Sequence, residues 1–494
     1  LVVRWLSFCD DHRVSGGDRP SYDELAALVV AQAETIRVLR AENERLAVRV
    51  AELERQLKTT SRNSSKPPSQ DVYSKPAPKS LRRKTGRGQG KQPGAPGASL
   101  TLVDNPDIVV DHVPAACSGC GTGLSRRPDV GVVRRQVHDL PEIVPVVTEH
   151  RLHQKRCRCG VLTTAPAPVE AAAPACYGPN LTALAAYLLT YQHIPVSRAA
   201  ELLAEVTGTP VSTGWVSSVL GRIAPGLEPF VDATAAAVAA APVAHFDETG
   251  IRVQGGNRWL HSASTAWLTV YFLHDKRGRE AIDAFGILDG FTGVAVHDGY
   301  HSYRTYDLVH ALCNAHHQRE LQAAAETYPG QSWPTGLSDL LDELNAAAHT
   351  ARDLDLPAIP DEVLTPLTGR YDTHVRTGLD LHPRNQRGHP KGGRPTQTQA
   401  RRLLERLEKY RGDILRFAFD LTVPFTNNQA ERDIRMTKTQ LKITGGWRTH
   451  HGATTWLTVR SYISTTRKNG LNTLTALHDA ITGNPWLPTS LATT

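Results

Sequence analysis

The sequence predicts an α/β fold with a strand-rich core, preceded by helical and cysteine-bearing segments. After residue 240 the apolar pattern leaves helical spacing and becomes short runs rich in β-branched and aromatic residues. Their order is strand, strand, strand, helix, strand. Upstream, residues 176–235 keep helical periodicity, and nearer the N-terminus a heptad register runs for almost five repeats. With 494 residues, 40% apolar and 21% charged, the chain supports a sizeable core and three or four domains. The most apolar stretch, Ala233 to Ala244, is broken by Thr234 and Pro242 and is too short to cross ~30 Å of hydrocarbon. The chain starts on Leu1 rather than Met, and Arg4, Asp10 and Asp11 interrupt any signal-peptide pattern. A cytoplasmic location without membrane contact is therefore expected.

Residues 23–60 read as a leucine-zipper-like coiled coil. Leu25, Gln32, Leu39, Leu46 and Leu53 form one heptad row, and Val29, Ile36, Asn43, Val50 and Leu57 form the second. β-branched residues at a with Leu at d favour a parallel dimer, and an amide at an a position such as Asn43 fixes register. Arg49 and Glu54 are placed to pair between chains. The expectation is a homodimer, against a single amphipathic helix packed on its own core.

Residues 61–103 read as a basic flexible linker. Between Asp71 and Asp104 there is no acid, while Arg82, Arg83 and Lys84 lie among other cations, Pro and Gly. Such an arm suits phosphate contacts or is merely solvated.

Residues 104–172 carry Cys117-x-x-Cys120 and Cys157-x-Cys159, with 36 Val-rich residues between the pairs. Four thiolates in two close pairs suit a structural Zn²⁺, and the interval has room for a small β-unit. Four free thiols are the competing reading. Cys9, Cys176 and Cys313 read as structural. Residues 176–235 place two helices around a turn at Gly208, with Ser212 or Thr213 capping the second, a helix-turn-helix-like pattern.

The core, 236–440, carries the acids. PVAHFDETG and GVAVHDGYHSY are apolar strands that end on Asp247 and Asp298. If those strands are neighbours, the two carboxylates meet. A two-metal site needs a third acid, and Glu431 lies one turn into a helix that Thr426 and Gln429 would open as a capping box, with Arg435 at i+4. Three oxygen ligands suit Mg²⁺ or Mn²⁺. Spacing alone does not separate Asp247 from Glu248, or Glu431 from Asp433. The interval from Asp298 to Glu431 is long enough for a helical insertion at about 325–420, within which HPRNQRGHPKGGRPT reads as a mobile basic loop. In residues 441–494, a C-terminal helical segment, Lys442, Trp447 and Arg448, with Lys438 just upstream, suit phosphate contact and base stacking. A Trp packed inward on a surface helix is the alternative.

These motifs together resemble the insertion sequence 66 family of DDE transposases. The likeness runs from SRNSSKPPS through the cysteine pairs, HFDETG, RWLHSAS, VHDGYHSY, HALCNAHHQREL and NNQAER to YISTTRKNGLN. It implies a ribonuclease H-like catalytic core with Asp247, Asp298 and Glu431 in the three acidic positions, a leucine zipper and a zinc-binding domain. Cys313-x-x-His316 looks like the Cys-x-x-His signature of several such transposases and reads as structural or DNA-positioning. The function this implies is a nucleoid-associated transposase that binds element ends, cuts them with Mg²⁺ and joins them to target DNA, with accessory transposition proteins as possible partners. A non-catalytic self-repressor derived from a transposase is the main rival. A plain metal nuclease is a weaker one.

Overall fold

The computed structural model describes residues 21–58, 99–385, 395 and 397–488. Arg82, Arg83 and Lys84, most of the 61–103 linker and most of the basic loop after His382 lie outside the described residues. The chain divides into two compact units, one made of 77–314, 350–358 and 412–494, the other of 1–76, 315–349 and 359–411. No helix among the described residues is long and apolar enough to cross a membrane.

Helix α1 (Tyr22–Lys58) has 37 residues. Val29, Ile36, Leu39, Leu46 and Val50 are all more than half exposed on it. Among the described residues, this apolar stripe is left without a cover.

The cysteine segment forms little regular structure. Strand β1 (Gln154–Arg156) pairs antiparallel with β2 (Leu162–Thr164), so the small β-unit lies around the second cysteine pair, not in the Val-rich interval before it. Val130, Val132, Val133 and Val137 in that interval are exposed among the described residues.

Helices α2 (Pro179–Thr190), α3 (Val196–Thr207), α4 (Thr213–Ile223) and α5 (Glu228–Ala239) follow. Gly208 ends α3 in the left-handed region at φ 64°, and the Ser212 hydroxyl caps α4 by accepting from Trp215 N at 3.1 Å. The core of these helices is completed by Val459, Tyr462, Ile463 and Leu477 from the end of the chain. The helical region and the C-terminal segment therefore share one interior.

The sheet strands are β3 (Val243–Val253), β4 (Gly256–Ser264), β5 (Thr269–His274), β6 (Val294–His297) and β7 (Val309–Leu312), with helix α6 (Arg279–Phe285) between β5 and β6. Their order is β5-β4-β3-β6-β7. β3, β4 and β5 form an antiparallel meander, while β6 and β7 run parallel to β3. Gln254 and Gly255 make the two-residue β3–β4 turn, both at positive φ, which matches the twist of a tight hairpin.

Helices α7 (Asn314–Thr327), α8 (Trp333–Asp353), α9 (Asp361–Leu381) and α10 (Gln399–Lys409) follow the sheet. In their unit, Leu337, Leu341 and Leu344 are fully buried, and Tyr371 donates to the Leu407 carbonyl at 2.9 Å. The chain ends through α11 (Arg411–Ile414), α12 (Arg416–Phe419), α13 (Asn428–Thr444), α14 (His450–Lys468) and α15 (Thr473–Ile481).

Candidate active site

β3 pairs with β6 in the register Val243↔Val294, Ala244↔Ala295, His245↔Val296. β6 ends at His297 with Asp298 directly after it; carried on by two residues, the register would bring Asp298 to Asp247. Side chains alternate across a strand, so His245 and Asp247 share one face, and Ala244, Phe246 and Glu248 share the other. Ala244, Phe246 and Ala295 lie in one apolar cluster on the second face, which leaves Asp247 and Asp298 together on the first. Helix α13 packs on β3, and Glu431 sits in its first turn.

The electrostatics agree with this crowding. Burial pushes the Asp247 carboxyl well above the usual range, and the charges of Glu248, Asp298 and Glu431 add to the rise. Asp247 Oδ1 accepts from Glu248 N at 2.9 Å, and Asp298 Oδ1 accepts from Tyr300 N at 2.8 Å. Among the described residues neither aspartate has a salt-bridge partner within 4 Å. Carboxylates held by backbone donors could give oxygens to a hard divalent cation, but among the described residues the ligand atoms of Asp247, Asp298 and Glu431 do not come within 4.8 Å of one another as one set.

The neighbouring acids are engaged elsewhere. Glu248 is buried on the opposite face, where Arg277 Nη2 bonds it at 2.6 Å and the Tyr303 hydroxyl at 2.7 Å. Its carboxyl is raised to about 7, first by burial and then by Asp298. Asp433 is buried beside Lys468 at 2.9 Å and accepts from Thr269 and Gln429. Glu248 and Asp433 are thus each held in an ion pair, with Arg277 and Lys468 respectively.

The start of α13 differs from the expected capping box. The helix begins at Asn428, its N-cap is Asn427, and no side chain caps it. Gln429 instead donates to Asp433 at 3.0 Å. The Asn427 amide faces the sheet: Nδ2 donates to the Phe246 carbonyl and Oδ1 lies 2.8 Å from His245 Nδ1. Its backbone N–H points to Cys313 Sγ at 3.1 Å. A buried amide satisfies more groups there than it would by capping. Cys313 closes β7, so its thiol supports the α13 start, and His316 stands in the first turn of α7.

A second anchor lies beneath Asp298. Gly299 N donates to His297 Nδ1 at 2.9 Å, and His297 Nε2 lies 3.0 Å from His310 Nδ1. That fixes the tautomers: His297 carries its proton on Nε2 and donates to His310. His297 is held well below the usual imidazole range, first by burial. Sequence reasoning did not assign roles to Asn427, His297 and Arg277. The adjacent Asn pair before a helix and the His flanking an expected acid were the available signals.

The predicted DNA-contact residues separate into two sets. Arg435, Lys442 and Arg448 are exposed. Lys438 is turned inward, donating to the Gly250 carbonyl at 2.8 Å, and so pins α13 along β3. Trp447 is packed inward too. It bridges Val253, exchanges backbone bonds with Arg252 and Gln254, and meets Trp456 at 5.4 Å. Gly446 allows this approach, since a Cβ there would lie 2.6 Å from the Arg252 carbonyl oxygen. Arg460 is buried and Lys468 half-buried, so the inward-packed alternative holds for Trp447, Arg460 and Lys468, whereas Lys442, Arg448 and Arg467 are exposed.

The cysteines form two similar turns. Cys117 N donates to Thr122 O and its carbonyl accepts from Gly121 N, while Cys157 N donates to Val161 O and its carbonyl accepts from Gly160 N. Gly121 and Gly160 both take positive φ. Cys120 is lowered chiefly by the Thr122 hydroxyl, and Cys157 by the Cys159 backbone N–H. Thiols biased toward thiolate on tight turns fit zinc. Among the described residues the four sulfurs do not come within 4.8 Å of one another as one set.

A cysteine-turn module ahead of a mixed α/β sheet with acids at adjacent strand ends defines the class of the molecule. Residues 174–455, more than half of the chain, match the family model described as Transposase IS66 family, and the chain belongs to that family. Residues 114–160 match the zinc-finger binding domain of transposase IS66, and residues 18–101 match a family of unknown function. The chain is also similar to the uncharacterized protein y4hP of Sinorhizobium fredii (strain NBRC 101917 / NGR234), 25% identical over 242 residues. That alignment covers 44% of this chain and 43% of the relative's length.

Proposed function

We propose that the chain is a DNA transposase that binds the ends of an insertion sequence, cleaves them and joins them to target DNA. The observation that supports this reading is the parallel pairing of β3 and β6, with Asp247 on β3, Asp298 directly after β6, and Glu431 in the first turn of α13, which packs on β3. The order and directions of the five strands support a ribonuclease H-like core.

Asp247, Asp298 and Glu431 would hold Mg²⁺ or Mn²⁺. Bound there, such ions supply Lewis-acid stabilisation of phosphoryl oxygens and an acidified attacking oxygen. The chain's own part is placement. Asn427 and Lys438 fix α13 against β3, so the Glu431 carboxylate is presented to the two aspartates. The His297–His310 pair holds the turn that follows Asp298. Arg435, Lys442 and Arg448, exposed on α13 and just beyond it, contact phosphates and set the register of the strand. Cleavage leaves a 3′-hydroxyl, and the same carboxylates serve its attack on target DNA.

The cysteine module and the α3–α4 pair read the element ends. The exposed stripe of α1 pairs two copies in a coiled coil, which brings two ends together. Small companion proteins assist, and the complex works on the nucleoid. The test is incubation of the purified chain with labelled element-end DNA and Mg²⁺. Binding followed by cutting supports the proposal. Binding without cutting, even with companion proteins supplied, favours the self-repressor.

A further inference from the structure

We propose that Arg277 is a phosphate-binding residue that grips the DNA strand on the Asp298 side of the acidic cluster, an assignment that rests on the transposase reading above. Arg277 Nε and Nη2 both donate to Glu248 Oε1, at 2.8 and 2.6 Å. The other Glu248 oxygen accepts from Tyr303 at 2.7 Å. The guanidinium carbon lies 3.9 Å from the Tyr300 ring centroid and 5.0 Å from that of Trp259. One carboxylate and two aromatic rings therefore hold the group in one plane and one orientation.

The Glu248 side chain is 1% exposed, yet that of Arg277 is 38% exposed. Nη1 has no hydrogen-bond partner among the described residues. A guanidinium fixed in this way presents rigid donors outward with little rotamer entropy left to lose. That geometry suits the planar, two-point recognition of phosphate.

Its position points to the substrate. Tyr300, the ring beneath the guanidinium, bonds Asp298 Oδ1 through its backbone N–H at 2.8 Å. Arg279, the first residue of α6, lies over Tyr306 at 4.9 Å and donates to Thr305 O, so the chain just after Arg277 also meets the segment that follows Asp298. Arg279 is exposed there. A DNA strand entering a cluster of three carboxylates meets repulsion, and cations fixed on the Asp298 side offset it, as those of α13 do on the Glu431 side.

The test uses the full chain, Ca²⁺ in place of Mg²⁺ to keep the strands uncut, and element-end duplexes that each carry one uncharged methylphosphonate. The wild type should lose about tenfold in affinity at one position close to the cleavage point. In the paired variant Glu248→Gln/Arg277→Gln, which keeps a neutral hydrogen bond and protects the fold, that position should become indifferent. The slope of log affinity against log salt should also fall by about one. Thermal melting checks that the variant is folded, and Lys276→Ala, at an exposed neighbour, should keep the position-specific loss. An unchanged position profile and salt slope in the paired variant would overturn the assignment and leave the transposase reading standing. A wild type that binds no DNA at all would overturn both.

Discussion

Asn427 reaches back 182 residues to His245, with Oδ1 2.8 Å from Nδ1. Because Asn427 Nδ2 already donates to the Phe246 carbonyl, the shared proton belongs to His245. The strand that carries Asp247 and the helix that carries Glu431 are thus joined next to both acids.

Replacing Asn427 with Ala should leave that imidazole N–H and that carbonyl buried without partners. The expected cost is roughly 2–4 kcal/mol of stability. Urea unfolding measures it, and an unchanged midpoint would contradict the role. Cutting should also fall, although both acids remain in the chain.

Asn43 is exposed on α1 among the described residues, in the heptad row that would form the a positions of a coiled coil. Replacing it with Leu or Val should raise coiled-coil stability and loosen the oligomer state, because a buried amide costs stability while specifying a dimer. Mass measurement of a 20–60 peptide tests this. A wild-type peptide that stays monomeric at high concentration would rule out the zipper.

The purified chain should carry about one zinc per subunit on Cys117, Cys120, Cys157 and Cys159. Cys117→Ser should lose the metal and weaken end binding while the sheet unit stays folded. Metal analysis that finds no zinc in the wild type, or full metal in the variant, would refute the ligand set.

The elements that carry the candidate acids were legible because strand ends and a helix start are local signals. The strand ends and the helix start drew attention to Asp247, Asp298 and Glu431, but spacing left Glu248 and Asp433 open and the family resemblance chose between them. What was not legible depends on partners distant in sequence. Glu248 differs from Asp247 by one step along β3, and only Arg277, 29 residues on, marks it as a buried ion-pair member. Lys468 is turned inward by Asp433, and Lys438 by the Gly250 carbonyl. A cation's sequence neighbours carry no trace of such contacts. The capping box failed for the same reason, since Asn427 is drawn to the sheet. The strand order β5-β4-β3-β6-β7 was also beyond a linear reading, although the succession of strands and the α6 helix was not.

The most direct test of the central claim compares five variants with labelled element-end DNA, scoring binding by gel shift and cutting on a denaturing gel. Asp247→Asn, Asp298→Asn and Glu431→Gln keep side-chain size and remove a charged oxygen ligand. Each should bind DNA nearly as the wild type does and cut none of it. Glu248→Gln and Asp433→Asn should lower the melting temperature, through loss of the Arg277 and Lys468 ion pairs, while retaining measurable cutting. Normal cutting by Glu431→Gln, together with none by a folded Glu248→Gln or Asp433→Asn, would contradict the account.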